Sequence, residues 1–304
     1  MFENCRSLIS LNLTGWVTTK LNNMASMFNN CYSLKNIPGI NNFNTTLVTT
    51  LASTFANCRS LMELDLTNWR TPAVTTLAST FTTCYCLTSL NLSNWDVSNV
   101  TTCASTFYYC RSLKLLNLTG WNLVKVTTIG SMFRDCISLQ KLDLSGFHID
   151  NKCTSIYNAF GYCISLKELS FPTWTLTGLG SGSNTANSLF SNCWGLETIT
   201  GISNWNFSSL NNSLASMFQD CRSLKTLDIS GWNVSTATSF ASMFANCYSL
   251  EQLNLSSWVV SSKCTTIGSM FSDCHSLKSI GNISSWDTSN CATLSSVFYN
   301  CLAL

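Results

Sequence analysis

The sequence predicts an α/β solenoid of about eleven complete rungs, each a short parallel strand followed by a short helix. Three observations predict it. A Phe recurs at Phe2, Phe28, Phe55, Phe81, Phe107, Phe133, Phe160, Phe190, Phe218, Phe244, Phe271 and Phe298, spaced by 26 to 30 residues. A Cys follows each Phe by three residues, and a Leu follows each Cys by three, in twelve copies out of twelve. The 304 residues are 45% hydrophobic but only 10% charged, where a soluble domain carries roughly 25% charge, so Ser, Thr and Asn must keep a long apolar core in water. A fixed period in the twenties marks units that contact only their neighbours, so residues 1–304 are read as one domain.

The strand follows the ladder Cys. Segments such as Leu61-Met-Glu-Leu64-Asp-Leu66 and Leu224-Lys-Thr-Leu227-Asp-Ile229 end in an apolar-polar-apolar alternation, which sends two side chains to one face and Asp or Asn to the other. One strand per rung at about 4.8 Å predicts a continuous parallel sheet about 50 Å long. An aromatic comes next: Trp16, Phe43, Trp69, Trp95, Trp121, Phe147, Trp174, Trp205, Trp232, Trp258 and Trp286. The rest of the unit reads as helix. In the run from Val74 to Phe81 the apolar residues stand seven and four before the Phe and at the Phe itself, a helical stripe with Thr75 as its N-cap. An Asn or Asp two residues after the Phe (Asn57, Asp135, Asp220, Asn246, Asp273) suits a left-handed closing turn. Between Trp174 and Phe190 the usual spacing is exceeded through Gly178 to Ser183, which predicts an irregular loop at 175–189. Met1-Phe2 already lies inside a repeat, and both ends stop mid-repeat, so the chain reads as an excerpt.

The unit is most complete in Met217-Phe218-Gln-Asp-Cys221-Arg-Ser-Leu224-Lys-Thr-Leu227-Asp-Ile229-Ser-Gly-Trp232-Asn-Val234. It resembles the BspA-type leucine-rich repeat of bacterial surface proteins, along the whole chain. The resemblance implies a leucine-rich-repeat fold and a recognition scaffold. It does not name a partner.

The formal charge of +2 is too near neutral for electrostatic binding of nucleic acid, so no nucleic acid is expected as partner. No apolar run exceeds four residues, far below the 18 to 20 or so that span a bilayer, so no membrane insertion is expected in this segment. Of seventeen Cys, twelve form the ladder; Cys153, Cys264 and Cys291 stand where other rungs have Val48, Val74, Val100 and Val126, and Cys103 replaces an apolar residue. They read as reduced structural thiols. Rungs about 5 Å apart lie within disulfide Cα distances, which leaves stacked disulfides as an alternative. Spacing for zinc is absent, Gly178 to Ser183 lacks the Lys of a phosphate loop, and His148 and His275 lie nearly five rungs apart. No metal, no cofactor and no enzyme activity are expected.

Two stripes are candidates for binding. Directly after the ladder Cys run Arg6, Tyr32, Arg59, Tyr85, Arg111, Ile137, Ile164, Trp194, Arg222, Tyr248 and His275; over the first five rungs guanidinium and ring alternate as in a cation–π stack. Arg59, Tyr85, Arg111, Trp194, Arg222 and Tyr248 are the residue types that carry interface energy; the stripe can equally brace the turn edge. The alternative is the open strand face, with Asp65, Asn91, Asn117, Asp143, Asp228 and Asn254 in one column. The function expected is recognition of a protein or glycan ligand at a cell surface or outside the cell. The alternatives are a structural component packing against copies of itself, for instance on a virion, and, more remotely, ice binding through Thr and Asx columns.

Overall fold

A computed structural model of the chain describes residues 1–172, 174–180 and 185–304. The backbone winds as a leucine-rich-repeat solenoid, and its buried apolar side chains form one cluster from Leu13 to Val297. The strand that follows each ladder Cys is very short. Its regular pieces are β1 (Ser89–Asn91), β2 (Leu115–Asn117), β3 (Glu168–Ser170) and β4 (Thr198–Thr200). β1 pairs with β2 and β3 with β4, both parallel, with Leu90 opposite Leu116 and Leu169 opposite Ile199. Elsewhere the same column continues as single parallel bridges, Ser10 to Asn36 and Thr226 to Gln252 to Ser279. The expected strand in every rung of one continuous sheet is therefore corrected to two two-stranded sheets joined to a sparser ladder. The cause is the repeat itself. Each rung turns inward at Leu87, Leu90 and Leu92, for example, a spacing of three and then two that allows only three residues of regular pleat.

The expected helix is also corrected. Among the described residues the only helical element is one 3-10 turn, Ile40–Asn42. Each rung instead places two residues in the left-handed region, two before the Phe and two after it, as in Ser53 (φ 55) and Asn57 (φ 61) around Phe55. An L-residue there breaks an α-helix. What forms is a chain of tight turns. Thr54 N–H donates to Leu51 O (3.1 Å) and Cys58 N–H to Phe55 O (3.1 Å), each turn carrying its left-handed residue third, the type II arrangement. The alternate amides point along the solenoid axis: Leu51, Ser53, Phe55 and Asn57 donate to Thr76, Ala78, Thr80 and Thr82 of the next rung at 2.7–3.2 Å. Every backbone donor in this stretch is thereby satisfied without a helix. Five residues before the Phe, a second parallel column of bridges runs Thr50, Thr76, Thr102, Thr128, Ser155. Thr75 is no N-cap; its amide (2.9 Å) and hydroxyl (3.1 Å) both donate to Thr49 O of the preceding rung.

The twelve repeat Phe rings stack in one file, with neighbouring centroids 5.4–5.6 Å apart and planes within 17°. A second file holds the Trp column, for example Trp69, Trp95 and Trp121 at 5.9 and 6.4 Å. Five of its indole N–H groups reach back one rung, as Trp69 does to Ile40 O and Trp121 to Leu92 O. Where a rung carries an extra residue before its aromatic, a left-handed Gly absorbs it: Gly39 (φ 86), Gly201 (φ 79) and Gly281 (φ 79). A Cβ on Gly39 would strike the backbone of Thr14. The irregular loop expected at 175–189 includes residues 181–184, which lie outside the described residues.

Candidate recognition surfaces

The ladder Cys sits where the turn chain passes into the strand, and its thiol has a fixed duty. Eleven of these thiols donate to the carbonyl of the preceding rung's Phe at 3.1–3.3 Å, from Cys31 on Phe2 to Cys301 on Phe271. All seventeen cysteines are free. Burial pushes the Cys31 thiol up to about 11 and the Cys110 thiol to about 12, so these sulfurs stay protonated and unreactive. Among the described residues no group of three or more His, Cys, Asp or Glu is placed to hold a metal ion. No helix there is long and apolar enough to cross a membrane.

On the turn edge just beyond each ladder Cys, the Arg/Tyr stripe closes on itself. Arg59 lies over Tyr32 at 4.5 Å and over Tyr85 at 5.9 Å; Arg111 lies over Tyr85 at 5.8 Å and Tyr109 at 4.8 Å. Farther along, Arg222 is held between Trp194 (4.4 Å) and Tyr248 (5.7 Å), and the Tyr248 ring stacks on His275 at 5.0 Å. The cations also have anions, Arg222 with Asp220 at 2.9 Å and Arg111 with Asp135 at 3.7 Å. Burial raises the Asp135 carboxyl above its ordinary value while Arg134 and Arg111 pull it back. Ile137 and Ile164 interrupt the stripe, and beside the gap stands Arg134, over Tyr108 (5.5 Å) and Tyr162 (5.7 Å). Sequence reasoning missed this second stack because it uses the two positions immediately after the Phe.

The strand face carries the Asx column, brought into line as expected. Its side chains already have work. Each accepts from the amide two residues on: Asp65 from Thr67 (3.0 Å), Asn91 from Ser93 (3.2 Å), Asn117 from Thr119 (3.0 Å), Asp143 from Ser145 (2.9 Å), Asp228 from Ser230 (3.2 Å) and Asn254 from Ser256 (3.1 Å). These Asx turns end the strand. The Ser145 amide and hydroxyl hold the Asp143 carboxyl below the usual range. The second oxygen of Asp65 accepts as well, from the Asn41 side-chain amide at 2.7 Å.

Over β1, β2 and the rungs flanking them, the strand face sinks into a groove of about 760 Å3. Leu64, Leu90 and Leu116 form its floor, and Glu63, Asp65, Asn91, Lys114, Leu115, Asn117, Lys141 and Asp143 its walls. Leu115 is 71% exposed there, and Met62 beside the groove is 51% exposed. Their columns are otherwise largely polar, with Ser89 and Lys141 flanking Leu115, and Thr88 and Lys114 following Met62. That contrast is the signal sequence reasoning could have used. Glu63, Lys114 and Lys141 form no ion pair among the described residues.

A third face is uncharged. Thr49, Thr75, Thr101, Thr127 and Thr154 are exposed in one file, yet each hydroxyl donates to a backbone carbonyl of the preceding rung at 2.9–3.2 Å.

Among solved structures, the chain is similar to a leucine rich cell surface protein of Faecalibacterium prausnitzii, with 21% identity over 97% of this chain and 85% of that one and a TM-score of 0.40. It is also similar to a leucine rich repeat protein of T. pallidum, with 17% identity over 80% and 78% of the two chains and a TM-score of 0.33. A leucine-rich repeat protein of Bacteroides ovatus shares 17% identity over 97% and 85%, with a TM-score of 0.27. No curated protein matches the chain. The family described as "Mycoplasma protein of unknown function, DUF285" matches residues 1–115, 83–177 and 184–304, and to that family this leucine-rich-repeat chain belongs.

Proposed function

We propose that residues 1–304 act as one solenoid, a non-enzymatic scaffold at a cell surface that recognises a protein partner through the groove over β1 and β2. One observation carries the reading: the groove exposes Leu115, with Met62 at its margin, beside Glu63, Lys114 and Lys141, which form no ion pair among the described residues, whereas the Arg and Tyr of the turn edge are spent on one another. Interface energy concentrates in an apolar anchor with a polar rim. The groove lining contains no aromatic ring on which a sugar face would stack, so a peptide segment with an apolar side chain between charges suits it better than a glycan. The test is selection of binders from a displayed peptide library alongside a glycan array. Leu115→Glu should then weaken a selected peptide about 30-fold or more, and Thr226→Glu in the same column should leave it unchanged. Loss on Arg59→Ala or Tyr85→Ala with no loss on Leu115→Glu would move the site to the turn edge.

A second reading is favoured by the threonine file, whose hydroxyls are engaged along the axis and leave a flat uncharged face. Copies of the chain would pack laterally on it. Concentration-dependent sedimentation that Thr101→Lys abolishes would support this reading over the first.

A further inference from the structure

The column seven residues before each Phe is filled by Val in Val48, Val74, Val100 and Val126, and by Cys in two adjacent rungs, Cys264 and Cys291. The structure brings these two sulfurs to 4.0 Å of one another. The Cys291 thiol also donates to Cys264 O at 3.5 Å. The parallel bridge between Thr266 and Thr293, two residues farther on, holds them in register. The ladder cysteines differ on both counts. Their thiols are committed to Phe carbonyls and those inside the stack are sealed from solvent, whereas Cys291 is only half-buried.

We propose that Cys264 and Cys291 are an oxidisable dithiol, a modification site at which a peroxide closes a disulfide between neighbouring rungs. The half-exposed Cys291 sulfur attacks the peroxide; the O–O bond breaks, a sulfenic acid forms, and water (or an alcohol, from an organic peroxide) leaves with the thiol's proton. The Cys264 sulfur then attacks the sulfenic sulfur. The S–S bond forms, the S–O bond breaks, and the hydroxyl departs with the Cys264 proton as water. Two thiols are oxidised and one peroxide is reduced. Burial, reinforced by Cys291 beside it, pushes the Cys264 thiol up to about 12, so Cys264 is not the sulfur that meets the peroxide first; that step falls to the half-exposed Cys291. The covalent link clasps the rung of Phe298 to that of Phe271. That rung is thinly packed, with Leu294 52% and Phe298 41% exposed. The site is independent of the groove and its ligand.

The experiment treats the folded chain with hydrogen peroxide, blocks the remaining thiols, and maps cross-linked peptides by mass spectrometry. Val already packs at this position in other rungs, so Cys264→Val and Cys291→Val fold. The cross-link between segments 264–278 and 279–304 should appear in the unaltered chain, disappear in both variants, and persist in Cys301→Val, which removes the nearby ladder partner of Cys274. Amide exchange at Thr293 to Val297 should slow at least tenfold on oxidation, and not in Cys291→Val. A link that vanishes in Cys301→Val, over-oxidised Cys291 without a link, or no reaction at peroxide levels that consume the exposed Cys5 would each overturn the proposal.

Discussion

The two halves of the strand face are built on the same columns and treat them differently. From Lys167 onward, the position seven after the Phe alternates in sign. Lys167 and Lys225 flank Glu197 at 3.4 and 4.0 Å, and Lys278 meets Glu251 at 2.8 Å, which holds the Glu251 carboxyl below its ordinary value. The charges there neutralise one another. In the earlier rungs the same position reads Lys35, Met62, Thr88, Lys114, Gln140, and the neighbouring column adds Leu115 at its centre. The core beneath is identical in kind, with the same Phe file and the same Cys ladder. A solenoid can therefore specialise one stretch of its surface at no cost to the stack that supports it, because the inward and outward residues of each rung are set independently.

The largest expected effect tests whether the halves really share one core. Ladder thiols are pushed up by burial from an ordinary 9.0 to about 12 at Cys110 and Cys193. The folded state thus holds these protons more tightly than the unfolded state. Their contribution is complete below pH 9 and is lost as pH rises from there towards 12. Repeated along the ladder, the loss accumulates with each buried thiol that must ionise. Alkaline unfolding followed by circular dichroism should be one cooperative transition in that window, and hydrogen exchange should open both halves together. Earlier opening under the groove would show that the difference between the halves reaches the core.

Next, Phe107→Ala below the groove and Phe244→Ala in the charge-paired half should each cost about 3–5 kcal/mol in denaturant unfolding, since both rings are fully buried in the same file. Only the first should disturb a groove ligand. Smaller is the effect of Lys114→Ala with Leu115→Ala, about 2 kcal/mol on binding of a selected peptide and none on stability; Lys225→Ala should leave binding as it was. Smallest is Arg222→Ala, which removes the guanidinium between Trp194 and Tyr248 and should cost about 0.5–1 kcal/mol of stability, read as a slight fall in midpoint. A loss of binding in Arg222→Ala would erase the distinction drawn between groove and turn edge.

What the sequence disclosed follows from periodicity. The Cys ladder, the two aromatic files and the Arg/Tyr stack are each one residue type locked to one phase of the repeat, so their stacking is a consequence of the period alone. The helix was misread because the apolar residues around Phe81 and Phe107 suit a turn chain as well as an α-helix. The discriminating signal is Ser two before the Phe in Ser26, Ser53, Ser79 and most of their counterparts, matched in most rungs by Asn or Asp two after it; both are left-handed positions. Asp65 and Asn117 stand in the strand-face column that the sequence offers for binding, yet a Thr two residues on in each case marks an Asx turn. The groove was not legible at all from any single rung. Leu115 is ordinary in an apolar-rich strand, and only its place opposite Ser89, while the buried Leu116 beside it lies opposite Leu90, shows that it points outward.

The turn chain has a mechanical consequence. Its rung-to-rung hydrogen bonds, such as Ser53 to Ala78 and Phe55 to Thr80, lie along the axis, so a pull between the two ends loads one rung's bonds before the next and peels the stack from an end. Each rung that yields frees 26 to 30 residues, about 90–100 Å of extended chain. A stack loaded in this way meets a sudden tug with a series of small yielding steps, each of which lengthens the chain while the remaining rungs stay in place.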